Sequence, residues 1–185
     1  GFYYDFDLPR PLTDADLETI TKNMRKIINS GKDFVRKEVT RDEAREIFKN
    51  QKYKLELLDA IPEGETVTTY TQGGFTDLCR GPHVESTKDL VADGFKLLSI
   101  AGAYWRGNEK NKMLTRIYAT AWGSKEDLKA YMDHLADIEK RDHRKLGKEL
   151  DLFSLHEEAG PGLVYWHPRG ARIRQTIEQF WREEH

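Results

Sequence analysis

One cysteine, Cys79, in 185 residues excludes an intramolecular disulfide framework and suits a reducing compartment. Nowhere do about 18 apolar residues run together, and no charged start leads into an apolar signal segment. A cytoplasmic location with no membrane partner is therefore expected. An initiator methionine is also missing. The chain opens on Gly1-Phe2-Tyr3-Tyr4-Asp5 and closes on a charged helical pattern, so a fragment of something longer is expected. There is no excess of positive charge either: the net charge of −2 excludes a generally basic nucleic-acid binder, although local clusters of cations can still act. No internal repeat or low-complexity tract occurs. With 38% hydrophobic and 34% charged residues, the chain has material for one comfortable core or two small ones.

Among what is present, Asp77-Leu78-Cys79-Arg80-Gly81-Pro82-His83 carries the most chemistry. A thiol, an imidazole, a carboxylate and a guanidinium within one short segment suit metal binding, water activation or an anionic substrate, and the spacing does not choose among these. The plainer alternative is a buried thiol beside a hydrogen-bonded histidine. A lone C-x3-H is half a zinc site, because structural sites use four ligands and catalytic ones three. Gly81 and Pro82 predict a loop, or at most the first turn of a helix, and loops on a rigid scaffold are where binding groups concentrate. Two basic stretches stand out as well. Arg106, Lys110, Lys112 and Arg116 surround Glu109 close to Tyr104 and Trp105, and Lys140, Arg141, Arg144, Lys145 and Lys148 run against Glu139 and Asp142. Cations beside aromatic rings suit phosphates and unstacked bases, against the alternative of a solvated surface with a core tryptophan.

Periodicity predicts alternating helices and strands. Thr13 caps a helix with Leu17, Ile20, Met24, Ile27 and Ile28 at helical spacing, ended by Gly31. Phe34 to Val39 reads as a strand, and Thr40 with Glu43 forms a capping box for a helix through Phe48. Tyr53 to Ala60 is ambiguous between helix and strand. Val67 to Thr71 is a strand by its β-branched and aromatic content. Phe95 to Tyr104 and Met113 to Trp122 predict a hairpin at the centre of a sheet. Ser124 caps a helix with Leu128, Tyr131, Met132, Leu135 and Ile138 on one stripe, extending to Leu150. Pro161 to Trp166 then suggests a strand, and Arg172 to Trp181 a helix with Ile173, Ile177, Phe180 and Trp181 as its apolar side. The expected architecture is α+β to about residue 123, a linker helix over 124–150, and the opening of a second domain over 151–185.

Several motifs in this order resemble bacterial threonyl-tRNA synthetases. They are Gly1-Phe2-Tyr3-Tyr4-Asp5, the Asp77 to His83 segment, Ala101-Gly102-Ala103-Tyr104-Trp105-Arg106-Gly107, Asn111-Lys112-Met113-Leu114-Thr115-Arg116-Ile117-Tyr118, and Arg141-Asp142-His143-Arg144-Lys145-Leu146-Gly147. The resemblance implies an internal fragment. Residues 1–123 correspond to most of the editing domain, the second additional domain shared with alanyl-tRNA synthetases, and residues 151–185 to the start of the class II aminoacylation domain. It implies that the parent attaches threonine to tRNA(Thr) with ATP, and that this region hydrolyses mischarged seryl-tRNA(Thr). Cys79, His83 and Lys54 match catalytic positions, with Lys54 tied to water activation. Tyr4, Asp77 and Arg80 match substrate-binding positions, and Arg106, Lys112 and Arg116 fit contacts to RNA.

The same resemblance implies tRNA(Thr) and a serine or threonine ester as partners, and a homodimeric parent. ATP, magnesium and zinc are expected in that parent, and no cofactor or metal in this fragment. The family's editing pocket also uses an H-x3-H pair upstream of the Gly-Phe-Tyr-Tyr motif, and no H-x3-H occurs in this chain, so the pocket is incomplete as written. Two other readings remain: a freestanding trans-editing deacylase, and a non-catalytic tRNA-binding module.

Overall fold

The computed structural model describes residues 1–160 and 162–185. It divides into two compact units, Gly1–Leu128 and Lys129–His185. The first holds β1 (Phe2–Phe6), α1 (Asp14–Asn29), β2 (Phe34–Val39), α2 (Arg41–Ile47), α3 (Lys52–Asp59), β3 (Val67–Gln72), β4 (Phe75–Leu78), β5 (Phe95–Tyr104) and β6 (Met113–Ala121). Next comes α4 (Lys125–Lys140), whose first turn contains the boundary. The second unit continues with α5 (His143–Glu149), β7 (Phe153–Leu155), β8 (Val164–Trp166) and α6 (Pro168–Glu184). The fold is α+β.

The first unit is built on two antiparallel sheets of three strands, ordered β1-β6-β5 and β2-β3-β4. The hairpin of β5 and β6 forms as expected, but only β6 is central; β5 is an edge strand, and β1 pairs along the other side of β6 from Phe2 opposite Ala119 to Phe6 opposite Thr115. On α1, Thr13 begins the helix and the Asp16 carboxylate reaches back to the Thr13 N–H at 2.8 Å. Thr40 and Glu43 close the box at α2, with the Thr40 N–H 2.7 Å from the Glu43 carboxylate. The ambiguous Tyr53 to Ala60 segment is helical, α3. It contains no β-branched residue, and Leu55 and Leu58 fall on one face at helical spacing. That face packs with Val39, Ile61 and Leu78 around a core of Ala44, Phe48, Leu58 and Val67, of which Ala44, Phe48 and Leu58 are fully buried. Sheet and helices thereby fix α3 against the strand that carries Asp77.

The helix expected to extend from Ser124 to Leu150 is two helices. Asp142 is non-helical and accepts the Arg144 N–H at 2.8 Å, starting α5 with its side chain where α4 has ended. A short polar side chain that satisfies a free N–H in this way favours a helix start over a helix interior. In the second unit α5 packs on β7 at Gly147, where a Cβ would lie 2.3 Å from the Phe153 ring. The last expected strand is shorter than foreseen, Val164–Trp166, and Pro161 lies outside the described residues. The last helix is longer, beginning with Pro168 at its first position, where a missing N–H costs nothing.

Candidate functional site

Three elements far apart in sequence bring Tyr4, Lys54 and Asp77 together. Tyr4 comes from β1, Lys54 from α3 and Asp77 from the edge strand β4. The Tyr4 hydroxyl donates to Asp77 Oδ2 at 2.7 Å, Lys54 Nζ donates to the Tyr4 hydroxyl at 3.0 Å, and Lys54 forms an ion pair with Asp77 Oδ1. The Lys54 and Asp77 side chains are each 18% exposed, so little water screens the pair. Burial pushes the Lys54 ammonium down, but the hydrogen bonds and charge supplied by Asp77 and Tyr4 outweigh it, and its pKa lies above the ordinary value. Burial also raises the Tyr4 phenol; the hydrogen bond from Lys54 pulls it back and Asp77 pushes it up again. At neutral pH Lys54 is thus an ammonium donor and Tyr4 a neutral phenol. In this arrangement Lys54 gives protons in hydrogen bonds and has no lone pair with which to take one.

Two residues beyond Asp77 the chain leaves β4. The Cys79 N–H still reaches the Thr68 carbonyl at 3.2 Å, so the thiol is anchored to β3. Its sulfur lies 3.1 Å from His83 Nε2 and accepts the Gly81 N–H at 3.4 Å. The segment is a loop, as expected. His83 is held by its ring: Phe34 stacks on it at 5.3 Å with 6° between planes, and Tyr70 tilts against it at 4.3 Å. Gly81 makes that approach feasible, because its φ is +73° and a Cβ there would sit 2.1 Å from the Tyr70 hydroxyl. The motif reading passed over Phe34 and Tyr70. Their signal was period-2 alternation: Tyr70 lies opposite Arg36, two positions along β2 from Phe34, which puts both rings on one face once the register is known. Arg80 is elsewhere, paired with Glu65 at 2.9 Å with 84% of its side chain exposed.

Residues 67–118 match the family described as threonyl and alanyl tRNA synthetase second additional domain. That span contains Asp77, Cys79 and His83 together with β3, β4, β5 and the first part of β6. Along its whole length the chain is 54% identical to the threonine–tRNA ligase of Borrelia recurrentis (strain A1). It is 58% identical, again over its whole length, to that of Dehalococcoides mccartyi (strain CBDB1). Over its whole length the chain is thus similar to one part of these threonine–tRNA ligases. It covers 32% and 31% of these two relatives, and 28% of the Magnetococcus marinus threonine–tRNA ligase, to which it is 55% identical. The chain therefore spans about a third of the length of the ligases it matches.

Within the first unit, the cations expected to meet RNA are engaged by neighbouring groups of the chain. Arg106 donates to the Glu56 carbonyl at 2.8 Å and lies 5.9 Å from the Trp105 ring. Lys112 pairs with Asp7 at 2.7 Å, and the hydrogen bond and charge of Asp7 raise its pKa. Arg116 holds both oxygens of Asp5, at 2.7 and 2.8 Å, and lies 3.9 Å from the Tyr3 ring; Asp5 first, then Tyr118, push its pKa up. Among the described residues, no group of three or more His, Cys, Asp or Glu side chains is placed to hold a metal ion. The described residues thus offer no such donor set for zinc or magnesium. Nor is any helix among the described residues long and apolar enough to cross a membrane.

Proposed function

We propose that residues 1–123 form the editing region of a threonine–tRNA ligase and hydrolyse seryl-tRNA(Thr). The observation that carries this reading is the meeting of Tyr4 and Lys54 at Asp77, two positions before Cys79 of the Cys79–His83 pair, in a chain 54% identical to part of a threonine–tRNA ligase. The chemical need is plain. Serine differs from threonine by a methyl group, and a missing methyl gives a synthetic site only about 10 to 200-fold discrimination, so a second, hydrolytic site must restore accuracy.

Ester hydrolysis needs a water placed on the carbonyl, a donor for the oxyanion, and a proton for the departing ribose oxygen. Lys54, held as an ammonium by Asp77 and Tyr4, is the donor for the oxyanion. His83 takes a proton from the attacking water, with Cys79 fixing its Nε2. The water oxygen bonds to the acyl carbon, the bond to the ribose oxygen breaks, and the proton held by the imidazole passes to that oxygen. Serine and a free ribose hydroxyl leave. Asp77 offers its carboxylate to the substrate amine or hydroxyl, and Tyr4 lines the same pocket. In the longer protein, residues 124–150 serve as the linker and 151–185 open the aminoacylation domain, where a cytoplasmic, homodimeric ligase joins threonine to tRNA(Thr) with ATP.

The test is hydrolysis of preformed seryl-tRNA(Thr) by this 185-residue chain, with threonyl-tRNA(Thr) as the control ester. Selective loss of the seryl ester is the expected result. A folded chain that binds tRNA(Thr) and leaves both esters intact would instead favour a tRNA-binding role for this region.

A further inference from the structure

We propose that Arg106 and Lys112 are positioning residues that hold α3, and with it Lys54, in register, instead of contacts to RNA. The proposal rests on the reading of Lys54 as a residue of the editing site. With eight residues, α3 is too short to be a stable helix alone, so its geometry depends on what grips it. The Ala60 N–H, which would close the last helical bond onto Glu56, turns to the Leu57 carbonyl at 3.2 Å instead. The Glu56 carbonyl is taken by Arg106 at 2.8 Å, a cation at the end of the helix where carbonyls are otherwise left over. The Glu56 side chain is held too, by the Trp105 indole N–H at 2.7 Å.

A second grip closes on the first turn. Tyr53 donates to Asp7 at 2.9 Å, Lys112 pairs with the same Asp7 at 2.7 Å, and the Tyr53 ring meets Trp105 edge-on at 4.8 Å. The Trp105 N–H bonds the Lys112 carbonyl at 3.1 Å, so both grips belong to one closed tip of the β5–β6 hairpin. Lys54 lies between Tyr53 and Glu56, the two residues held. Arg106 also keeps a φ of +54°, a conformation an L residue retains where its surroundings hold it. Both cations are thus already engaged with the partners that fix the helix.

The two roles are separated by Asp7→Asn and Arg106→Ala in the 185-residue chain. A positioning role lowers kcat for seryl-tRNA(Thr) in both variants by about 10 to 100-fold, the scale of a small misplacement of a reacting group. It leaves the affinity for deacylated tRNA(Thr) and its salt slope within about twofold, and speeds amide hydrogen exchange in α3. A contact to RNA gives the opposite pattern: Arg106→Ala weakens binding and reduces the salt slope by about one, and Asp7→Asn, which removes an acid, tightens binding, while kcat holds in both. That pattern, or α3 exchange unchanged in both variants, overturns the proposal. If the unaltered chain does not hydrolyse the seryl ester, the editing reading is what fails; α3 exchange and the binding slopes still decide what Arg106 and Lys112 do.

Discussion

Replacing Asp77 with asparagine removes one charge from the Tyr4–Lys54–Asp77 cluster and almost no volume. The asparagine oxygen still accepts a hydrogen bond, so the loss is electrostatic: Lys54 remains 18% exposed with its ammonium facing a phenol and an amide. Exposed ion pairs contribute about 0.2 to 1 kcal/mol, whereas removing one partner of a buried pair costs about 3 to 5 kcal/mol. A pair this far from water falls between them, so Asp77→Asn should destabilise the first unit by about 2 kcal/mol. Urea titration read by amide exchange in β3 and β4 reports that unit alone. The double variant Lys54→Met/Asp77→Asn should regain part of the loss, because no unpaired ammonium remains. The Lys54 pKa is raised in the folded chain, so its contribution is fully present below its ordinary value of 10.5 and is lost only as pH rises through the higher folded value. The stability gap between the native chain and Asp77→Asn should thus stay constant from about pH 6 to 9 and shrink only in alkali, beyond the unfolded lysine pKa. Additive single and double variants, or a gap that closes near neutral pH, would refute the account of Lys54 as a cation held by Asp77.

Other changes follow from the same geometry. His83→Ala in the longer ligase should slow seryl-tRNA(Thr) hydrolysis by about 10² to 10⁴-fold with threonyl-tRNA formation nearly intact, as expected for a lost proton acceptor; equal loss of both would make His83 a folding residue. Gly81→Ala should cost more stability than Gly73→Ala. Both positions have positive φ, a strain of about 1 to 2 kcal/mol for alanine, but at Gly73 the nearest atom to a Cβ is 3.9 Å away and at Gly81 it is the Tyr70 hydroxyl at 2.1 Å. Equal costs, by urea titration, would mean that the Tyr70 ring yields freely. Phe48→Ala, at a fully buried position, should lower first-unit stability by about 3 to 5 kcal/mol in thermal denaturation, and a change below about 1 kcal/mol would remove Phe48 from the core.

The parts of the fold legible in the sequence are those whose signals are local. Thr13 and Asp16, or Thr40 and Glu43, lie three residues apart and announce helix starts without reference to the rest of the chain. Val67 to Thr71 reads as a strand from its own residues, and the strand observed is Val67–Gln72. The strand β1 was not legible, because what makes Phe2 to Phe6 extended is pairing with β6, and Asp5 meets Arg116 across 111 positions. The helix α3 was ambiguous because its short pattern fits two periods and burial of Leu58 decides between them. The break before α5 depends on one aspartate side chain. For the site, Asp77, Cys79 and His83 share one segment and could be found from it. No spacing joins residues 4, 54 and 77, so Tyr4 and Lys54 came only with the family resemblance, and the Phe34 and Tyr70 rings needed the register of β2 on β3.

The pairing of β1 also sets a timetable for synthesis. Tyr4 and Asp5 leave the ribosome well before their sheet partner β6, which begins at Met113. At about 5 to 20 residues per second, the bond between Asp5 and Arg116, 111 positions apart, waits on the order of 5 to 20 s. During that interval Phe2, Tyr3, Tyr4 and Phe6 form an apolar segment with no sheet neighbour, a template for pairing with other chains. The strand that completes the Lys54–Asp77 cluster thus stays without its sheet partner until β6 arrives.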